Sequence, residues 1–543
     1  MRRRFLCVVL LALACLLIRA ARIGAAGDYL DGIARISAQD EVFYIHTAIT
    51  MVNQGDWLTP RFMGRYSFYK PPLFLWMAAA SARLFGISRV ALRFPLALIC
   101  AASVGLVFLA GARIRSWQAG CAAALLVISN HLWNVSAAMV LTDGLLAALD
   151  VSAMYCLLTD PKLESALSFW GFAGSIAAAI LTKTVAGFVP MASFALFWVM
   201  SPREFRASVP RACGAIIAAL AMASPWYLYQ LTVHHRWFWT EHVLQEILGF
   251  GRGGAPQTTG ESHLVFYLKR LLLVDPVLLI LLLIALPLLA RSLKQRSGSA
   301  LLMACWLAPV LLAPFAWHYR SMTYLIPAIA PAALVGSCYS PLGRGSSYSL
   351  LSVAGVALAC KLVFASQPWG LSFASGTIQA ASGPLQDYCR MNRGNELFVV
   401  DLADDLYASV LPLAGLRYAT VSPSMTAGMF SVLDLAGMGV AVTTEQFSHL
   451  DRWRPRFHEK LLEWGLHSDQ PIGTLVVASN LQELLNLVRD RPADDFLFPA
   501  GYRTAVEDAH IPEREVMDDG LVFLLLSREH QSRSAAPAWS CRM

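Results

Sequence analysis

The sequence predicts an all-α polytopic membrane protein of about eleven transmembrane helices, followed by a small soluble α/β domain. Three observations carry this. The chain of 543 residues is 57% hydrophobic and only 15% charged, where soluble domains run nearer a quarter charged. Runs of about 18 or more mostly apolar residues, each long enough to cross a bilayer as a helix, recur until about residue 367. The basic residues between those runs fall in alternate loops, the pattern that orients a membrane protein.

The elements follow in order. Met1-Arg2-Arg3-Arg4 opens like a signal peptide, but Arg19 and Arg22 flank the end of its apolar run and many spans follow. An uncleaved first transmembrane helix is therefore expected over 5–21. Further spans are expected near 90–111, 117–135, 142–158, 165–182, 184–200, 211–232, 265–290, 299–316, 321–338 and 349–366. The loops holding Arg2 to Arg4, Arg113 and Arg115, Lys162, Arg203 with Arg206 and Arg211, Arg291 with Lys294 and Arg296, and Arg344 then share the cytoplasmic side. Segment 72–87, with Pro71, Pro72 and Arg83, is expected to lie in the interface or re-enter rather than cross. The opposite face receives 22–89, the 136–143 hairpin, the corner at 183, 233–264, 317–320 and everything after about 367.

A polytopic unit over 1–367 thus precedes an extracytoplasmic domain over 368–543. In the latter, Glu396 to Asp401, Thr474 to Ala478 and Leu521 to Leu526 read as strands and Asn480 to Arg489 as a helix. It has no nucleotide-binding glycine loop, and Ser532 to Met543 reads as a disordered tail. The net charge of +7 is spread over short loops, which suits membrane lipids and argues against nucleic acid as a partner. The 11 cysteines include no CxxC pair and no metal-type spacing. Most sit in apolar runs as small hydrophobes, while Cys389 and Cys541 could pair in an oxidising compartment.

The polar residues of interest gather on the outer face. Asp40-Glu41 offers two adjacent carboxylates able to hold a divalent cation or act as a general base; Ser37 or Asp40 could equally be a helix N-cap. Arg61, Arg65 and Lys70, interleaved with Trp57, Tyr66, Phe68 and Tyr69, suit phosphate headgroups and isoprenoid tails together or simply anchor an interfacial helix. Asp143 stands at a helix start, where a cap is the plain alternative. Asp150 lies deeper and needs a partner. Lys183 interrupts some thirty-five otherwise apolar residues, so it must reach a polar cavity or snorkel to the interface.

The order of these residues is itself a pattern. DExxY from Asp40, GDWLxPRxxGxxxFxKPPLFxW from Gly55, Leu84 to Gly86 and Arg93 to Pro95 together resemble the amino-terminal region of the aminoarabinose lipid A transferases. They are similar also to the wider protein-mannosyltransferase-like group of GT-C glycosyltransferases. The specific match covers about 38–100, with looser similarity to about 340. The resemblance implies a GT-C-like fold with juxtamembrane helices in the first outer loop. It also implies a bacterial inner membrane, a polyprenyl-phosphate sugar donor and inverting transfer to a lipid A-type, glycan or protein acceptor.

Carried over residue by residue, it makes Asp40, Glu41 and Asp143 the catalytic candidates, Asp40 foremost. Arg61, Tyr69, Lys70, Lys183, His242, Arg320 and Tyr324 become the candidates for substrate binding. Many relatives carry a Glu before the KPP lysine as a proposed metal ligand; Tyr69 stands there in this chain, which puts metal dependence in doubt and leaves Asp40 and Glu41 as the candidate ligands. In the implied chemistry, Lys70, Lys183 and Arg320 neutralise the departing carrier phosphate. Asp40 takes the proton of an alcohol acceptor or orients an ionised one. The competing class is a transporter or flippase of a lipid-linked sugar. The absence of an internal repeat and the gathering of polar residues at one face speak against it.

Overall fold

A computed structural model of the chain describes residues 2–23 and, apart from 42–43, 46, 63–64, 250–260, 319 and 342–346, residues 41–363. Beyond these it describes 397–399, 418–420, 481–511, 514–518 and 522–527. Asp40, Cys389, Cys541, the strand expected at 474–478 and the terminal tail lie outside the described residues.

Every apolar run read from the sequence is built mainly of helix over its described residues. In chain order these are α1 (Arg2–Ile23), α2 (Leu73–Phe85), α3 (Arg89–Ile114), α4 (Trp117–Ser129), α5 (His131–Ala137), α6 (Thr142–Thr159), α7 (Ala166–Ile180), α8 (Val189–Met200), α9 (Val209–Phe238), α10 (His263–Val274), α11 (Pro276–Lys294), α12 (Gly298–Ala316), α13 (Ile326–Cys338) and α14 (Ser347–Val363). Five of them, α3, α6, α9, α11 and α12, are long and apolar enough to cross a membrane unaided. Helix α2, from the segment expected to stay in the interface, has only 13 residues, about 20 Å at 1.5 Å per residue. That is short of a roughly 30 Å hydrocarbon core.

Two expected spans prove to be broken. The 117–135 run divides at Asn130, whose side chain caps α5 at Trp133 N (3.1 Å). The 265–290 run divides at Asp275, which caps α11 at Leu278 N (3.2 Å) with Pro276 at the first helical position. Apolar length alone reads both runs as continuous; a capping side chain followed by a fresh turn ends them. Helix α9 is turned at His235 (φ 40°, ψ −113°) and runs into a π-helical segment, Trp239–Gly249.

The helices pack on a large apolar core in which α4, α6 and α13 are largely buried, and a second, smaller core joins Phe74 and Ala78 of α2 to Leu92, Val140 and Leu145. By contrast, α9 and α11 turn Ile217, Leu228, Ile280 and Leu283 outward, as lipid-facing helices do. At one end of the bundle the arginines of alternate loops close the helix termini. Arg113 donates to the carbonyls of Leu158 and Thr159 in the last turn of α6 and Arg115 to those of Cys338, the last residue of α13, and Ser340; Arg211 instead holds the loop carbonyls of Leu163 and Glu164 between α6 and α7. The last turn of a helix leaves carbonyls unpaired and carries partial negative charge, so a guanidinium is well placed there. The residues expected on the outer face collect at the other end.

In the first long loop β1 (Arg61–Phe62) pairs antiparallel with β2 (Arg65–Tyr66); near the C terminus, β3 (Leu397–Val399), β4 (Tyr418–Thr420), β5 (Asp495–Pro499), β6 (Glu515–Asp518) and β7 (Val522–Leu526) form one mixed sheet in the order β4-β3-β5-β7-β6. Strand β3 runs parallel to β4 and β5; the β5–β7 and β7–β6 pairs are antiparallel. Leu485 and Val488 of α15 (Leu481–Asp490) and Val506 of α16 (Arg503–Asp508) join Phe496, Phe498, Phe523 and Leu525 in a small separate core. Over their described residues, 397–399, 522–526 and 481–489, the strands expected at 396–401 and 521–526 and the helix at 480–489 are thus present.

Candidate active site

The long loop after α1 enters the bundle through a buried ion pair. Glu41 is 3% exposed and takes two hydrogen bonds from Arg93, Nε at 2.7 Å and Nη2 at 2.6 Å. Its Oε1 also accepts from Val140 N (2.7 Å). Both Glu41 oxygens are therefore occupied by charge-assisted bonds. The expectation that Glu41 acts as a base or metal ligand does not fit this geometry. With both oxygens engaged, Glu41 offers a divalent metal no free carboxylate, and Tyr69 stands before Lys70 where an acidic residue would be a further ligand.

Val140 closes the turn that leads into α6, and Asp143 stands in that helix's first turn. Gly144 lets α6 start close against α5: a Cβ there would lie 3.1 Å from the Ser136 carbonyl carbon. Asp143 Oδ1 accepts a 2.7 Å bond from Lys183 Nζ, and the Lys183 ammonium sits 4.9 Å from the centre of the Tyr324 ring. A lysine emerging from apolar sequence has thus been given a carboxylate and an aromatic face. It stays partly accessible, at 17% of its side chain.

The corner that presents Lys183 is built tightly. Helix α7 ends at Ile180, Gly187 N bonds back to Lys183 O (2.7 Å), and Leu73 N reaches across to Leu181 O (3.0 Å). That last bond brings the Lys70-Pro71-Pro72 segment against the corner. A Cβ at Gly187 would lie 2.5 Å from Ala179 backbone atoms, so only glycine allows this approach.

His242, from the π-helical segment, ties three elements together. Its Nδ1 lies 2.6 Å from Phe68 O and its Nε2 2.8 Å from Thr184 Oγ1. A carbonyl can only accept, so Nδ1 carries the proton and Nε2 of the neutral ring accepts from the Thr184 hydroxyl. Burial pushes the imidazole down to about 4, partly offset by the Phe68 carbonyl and reinforced by the Lys70 charge. Phe238 stacks on the ring at 5.0 Å, and Tyr227 OH lies 2.9 Å from Thr184 Oγ1. Buried, neutral and saturated with protein partners, His242 joins the loop to the site rather than offering a free ring nitrogen to substrate.

Lys70 forms an ion pair with Glu246. Glu246 was missed in the sequence: nothing marks it, because its partner lies 176 residues away, beyond six of the expected spans. Arg320 rests beside the Phe266 ring (5.7 Å), four residues before Tyr324. Arg61 lies near Asp56 (3.6 Å), with Thr59 bonded to His234 at 3.1 Å; this cluster belongs to the same loop but shows no direct contact with Lys183. Tyr69 is half-buried beside Lys70. Asp150, in mid-bundle, accepts from Trp306 Nε1 (2.6 Å), a structural partner as a buried carboxylate requires.

The structure therefore gathers Asp143, Lys183, Tyr324, His242 and Lys70 at the end of the bundle opposite the arginine-capped one. Glu41 lies just behind them. Cations held there at partial burial can bind a phosphate monoester.

Fold and site define a class: a polytopic membrane protein with the fold of the GT-C glycosyltransferases. The family model described as dolichyl-phosphate-mannose-protein mannosyltransferase matches residues 69–229, the stretch that runs from Tyr69 and Lys70 through Asp143 and Lys183 to Tyr229. The chain is 27% identical over 312 residues to undecaprenyl phosphate-alpha-4-amino-4-deoxy-L-arabinose arabinosyl transferase 1 of Pseudomonas fluorescens, covering 54% of this chain and 52% of that one. It is 26% identical over 365 residues to the corresponding transferase of Edwardsiella ictaluri, covering 61% and 62%. The chain thus spans about half the length of the curated relatives it matches. Among solved structures it is similar to ArnT from Cupriavidus metallidurans bound to undecaprenyl phosphate, with a TM-score of 0.56, 16% identity and coverage of 95% and 97%. At that identity the likeness is one of fold. The resemblance read from residues 38–100 is borne out.

Proposed function

We propose that this protein is an integral-membrane glycosyltransferase that moves a sugar from a polyprenyl-phosphate donor to an acceptor at the extracytoplasmic face. The observation that carries the reading is Lys183, held by Asp143 over Tyr324 beside the Lys70 segment, in a fold whose solved relative holds undecaprenyl phosphate. Lys183 and Lys70 neutralise the carrier phosphate as the bond from the anomeric carbon to the phosphate oxygen breaks. Arg320 supports them from the mouth of the site. Lys70 exchanges Glu246 for the phosphate when donor enters.

Asp40 remains the candidate base and would take the acceptor hydroxyl proton or orient an ionised acceptor. Glu41 is a positioning residue: through Arg93 and Val140 it fixes the turn that presents Asp143 and, as its neighbour in the chain, the entry of Asp40. The reading places the N terminus in the cytoplasm and the C-terminal α/β domain outside. The acceptor is a lipid A-type, glycan or protein molecule.

The test is transfer in proteoliposomes. Wild-type protein is offered radiolabelled undecaprenyl-phosphate sugars, beginning with 4-amino-4-deoxy-L-arabinose, with lipid A and glycan acceptors. Sugar moving to an acceptor, and lost in the Asp40→Ala and Lys183→Met variants, supports the reading. Transport of the donor across the vesicle without transfer would replace it with the flippase class.

A further inference from the structure

A second buried ion pair lies outside the groups used so far. Lys361 Nζ, in the last turn of α14, is 2.9 Å from Asp275 Oδ2, and the two side chains are 4% and 2% exposed. Neither residue belongs to the phosphate cluster. A pair of charges removed from water is a weak source of stability in itself, so its placement needs a reason.

The reason is what the carboxylate touches. Asp275 Oδ2 also accepts from Asn130 Nδ2 (2.8 Å), while Asn130 Oδ1 accepts from Trp133 N (3.1 Å) and so caps α5. An amide can present either end to a neighbour, but a carboxylate only accepts. Asp275 therefore fixes which way the Asn130 amide faces and holds its oxygen toward α5. Lys361 neutralises Asp275 where no water can.

Helix α5 is short, and both its ends are consequential. It packs against the Met322–Leu325 turn that carries Tyr324, and Asn134 bonds back to Asn130 O (2.8 Å). After it the chain passes Val140, held by the Glu41–Arg93 pair, and reaches Asp143. The segment from Asn130 to Asp143 is thus gripped at each end by a buried ion pair.

We propose that the Asp275–Lys361 pair, acting through Asn130, positions Asp143 and Tyr324 around Lys183 for transfer. Asp275, Lys361 and Asn130 are positioning residues that touch no substrate. The proposal rests on the transferase reading above.

The test separates positioning from mere support. In the double variant Asp275→Asn/Lys361→Met no charge is left buried and unpaired, so the protein is expected to fold and to melt within a few degrees of wild type. Its amide partner no longer dictates the Asn130 orientation, and kcat per folded molecule falls about tenfold or more, as displacement of a reacting array does. Asn130→Ser keeps a good α5 cap but cannot reach Asp275, and shows the same loss. Lys361→Arg keeps the charge and stays within about threefold of wild type.

All are assayed in proteoliposomes with the donor and acceptor that wild type turns over, normalised to folded protein. Wild-type kcat in the folded double variant overturns the inference; should that variant not fold, wild-type kcat in Asn130→Ser overturns it. In either case wild-type transfer itself is intact, so the transferase reading survives. Failure of wild type with every undecaprenyl-phosphate sugar overturns that reading and this inference with it.

Discussion

At the scale of the residue, the site is a set of charges that each need a partner, and legibility followed isolation. Lys183 was legible because a single cation in so long an apolar stretch must be held by something. Its carboxylate, Asp143, was legible only as a helix-start residue; the 2.7 Å pairing needed the fold. Glu41 misled for a physical reason: adjacent carboxylates look alike in sequence, yet one is consumed by Arg93 52 residues away. Removing the Lys183 charge with Lys183→Met is expected to lower transfer by about 10²- to 10³-fold, roughly 2.7–4 kcal/mol of barrier, as for loss of an oxyanion donor. Transfer within a few-fold of wild type in proteoliposomes would remove Lys183 from the phosphate site. Glu41→Ala strands the buried Arg93 guanidinium and is expected to cost about 3–5 kcal/mol of stability, read as a lower melting temperature in detergent; an unchanged one would mean the pair is not buried.

His242 supplies a prediction in pH. Its folded value of about 4 lies below the ordinary 6.5, so between those limits the unfolded chain binds the proton that the native ring refuses. Stability is therefore whole above pH 6.5 and declines as pH falls toward 4. Comparing melting temperatures of wild type and His242→Gln across that window isolates the effect, since Gln can bond but not titrate. Parallel curves would show that the ring is not buried neutral between Phe68 and Thr184.

At the scale of the element, apolar length marked out the helices but not their interruptions. Asn130 and Asp275 are single polar residues within runs that otherwise satisfy a bilayer, and only the partners they find, each other and Lys361, make them breaks. The Lys183 corner was visible as a charge and not as a shape, because the bond from Leu73 N to Leu181 O joins segments more than a hundred residues apart. Gly187 tests that shape. Gly187→Ala drives a methyl to within 2.5 Å of backbone at Ala179, where no side chain can move aside. It is expected to cost about 1–3 kcal/mol as overpacking and to lower transfer by displacing Lys183. A variant with wild-type melting and wild-type transfer would mean the corner tolerates a wider spacing than the structure has.

The molecule as a whole has two unlike ends. Basic-loop bias sorted the polar residues onto one face from sequence alone, and the fold brings them together at one end while Arg113 and Arg115 close helices, and Arg211 holds a connecting loop, at the other. The orientation proposed from the positive-inside rule puts the arginine end in the cytoplasm. Gln54 and Glu204 are both exposed, the first in the outer loop and the second in the basic loop after α8. With native cysteines replaced, Gln54→Cys is expected to react with a membrane-impermeant maleimide on intact cells. Glu204→Cys is expected to react only after the membrane is opened. The reverse pattern would turn the phosphate cluster toward the cytoplasm and with it the side on which a lipid-linked donor must be presented. Labelling of both on intact cells would deny the two-ended architecture itself, because Arg203 and Arg206 flank Glu204 on the basic side.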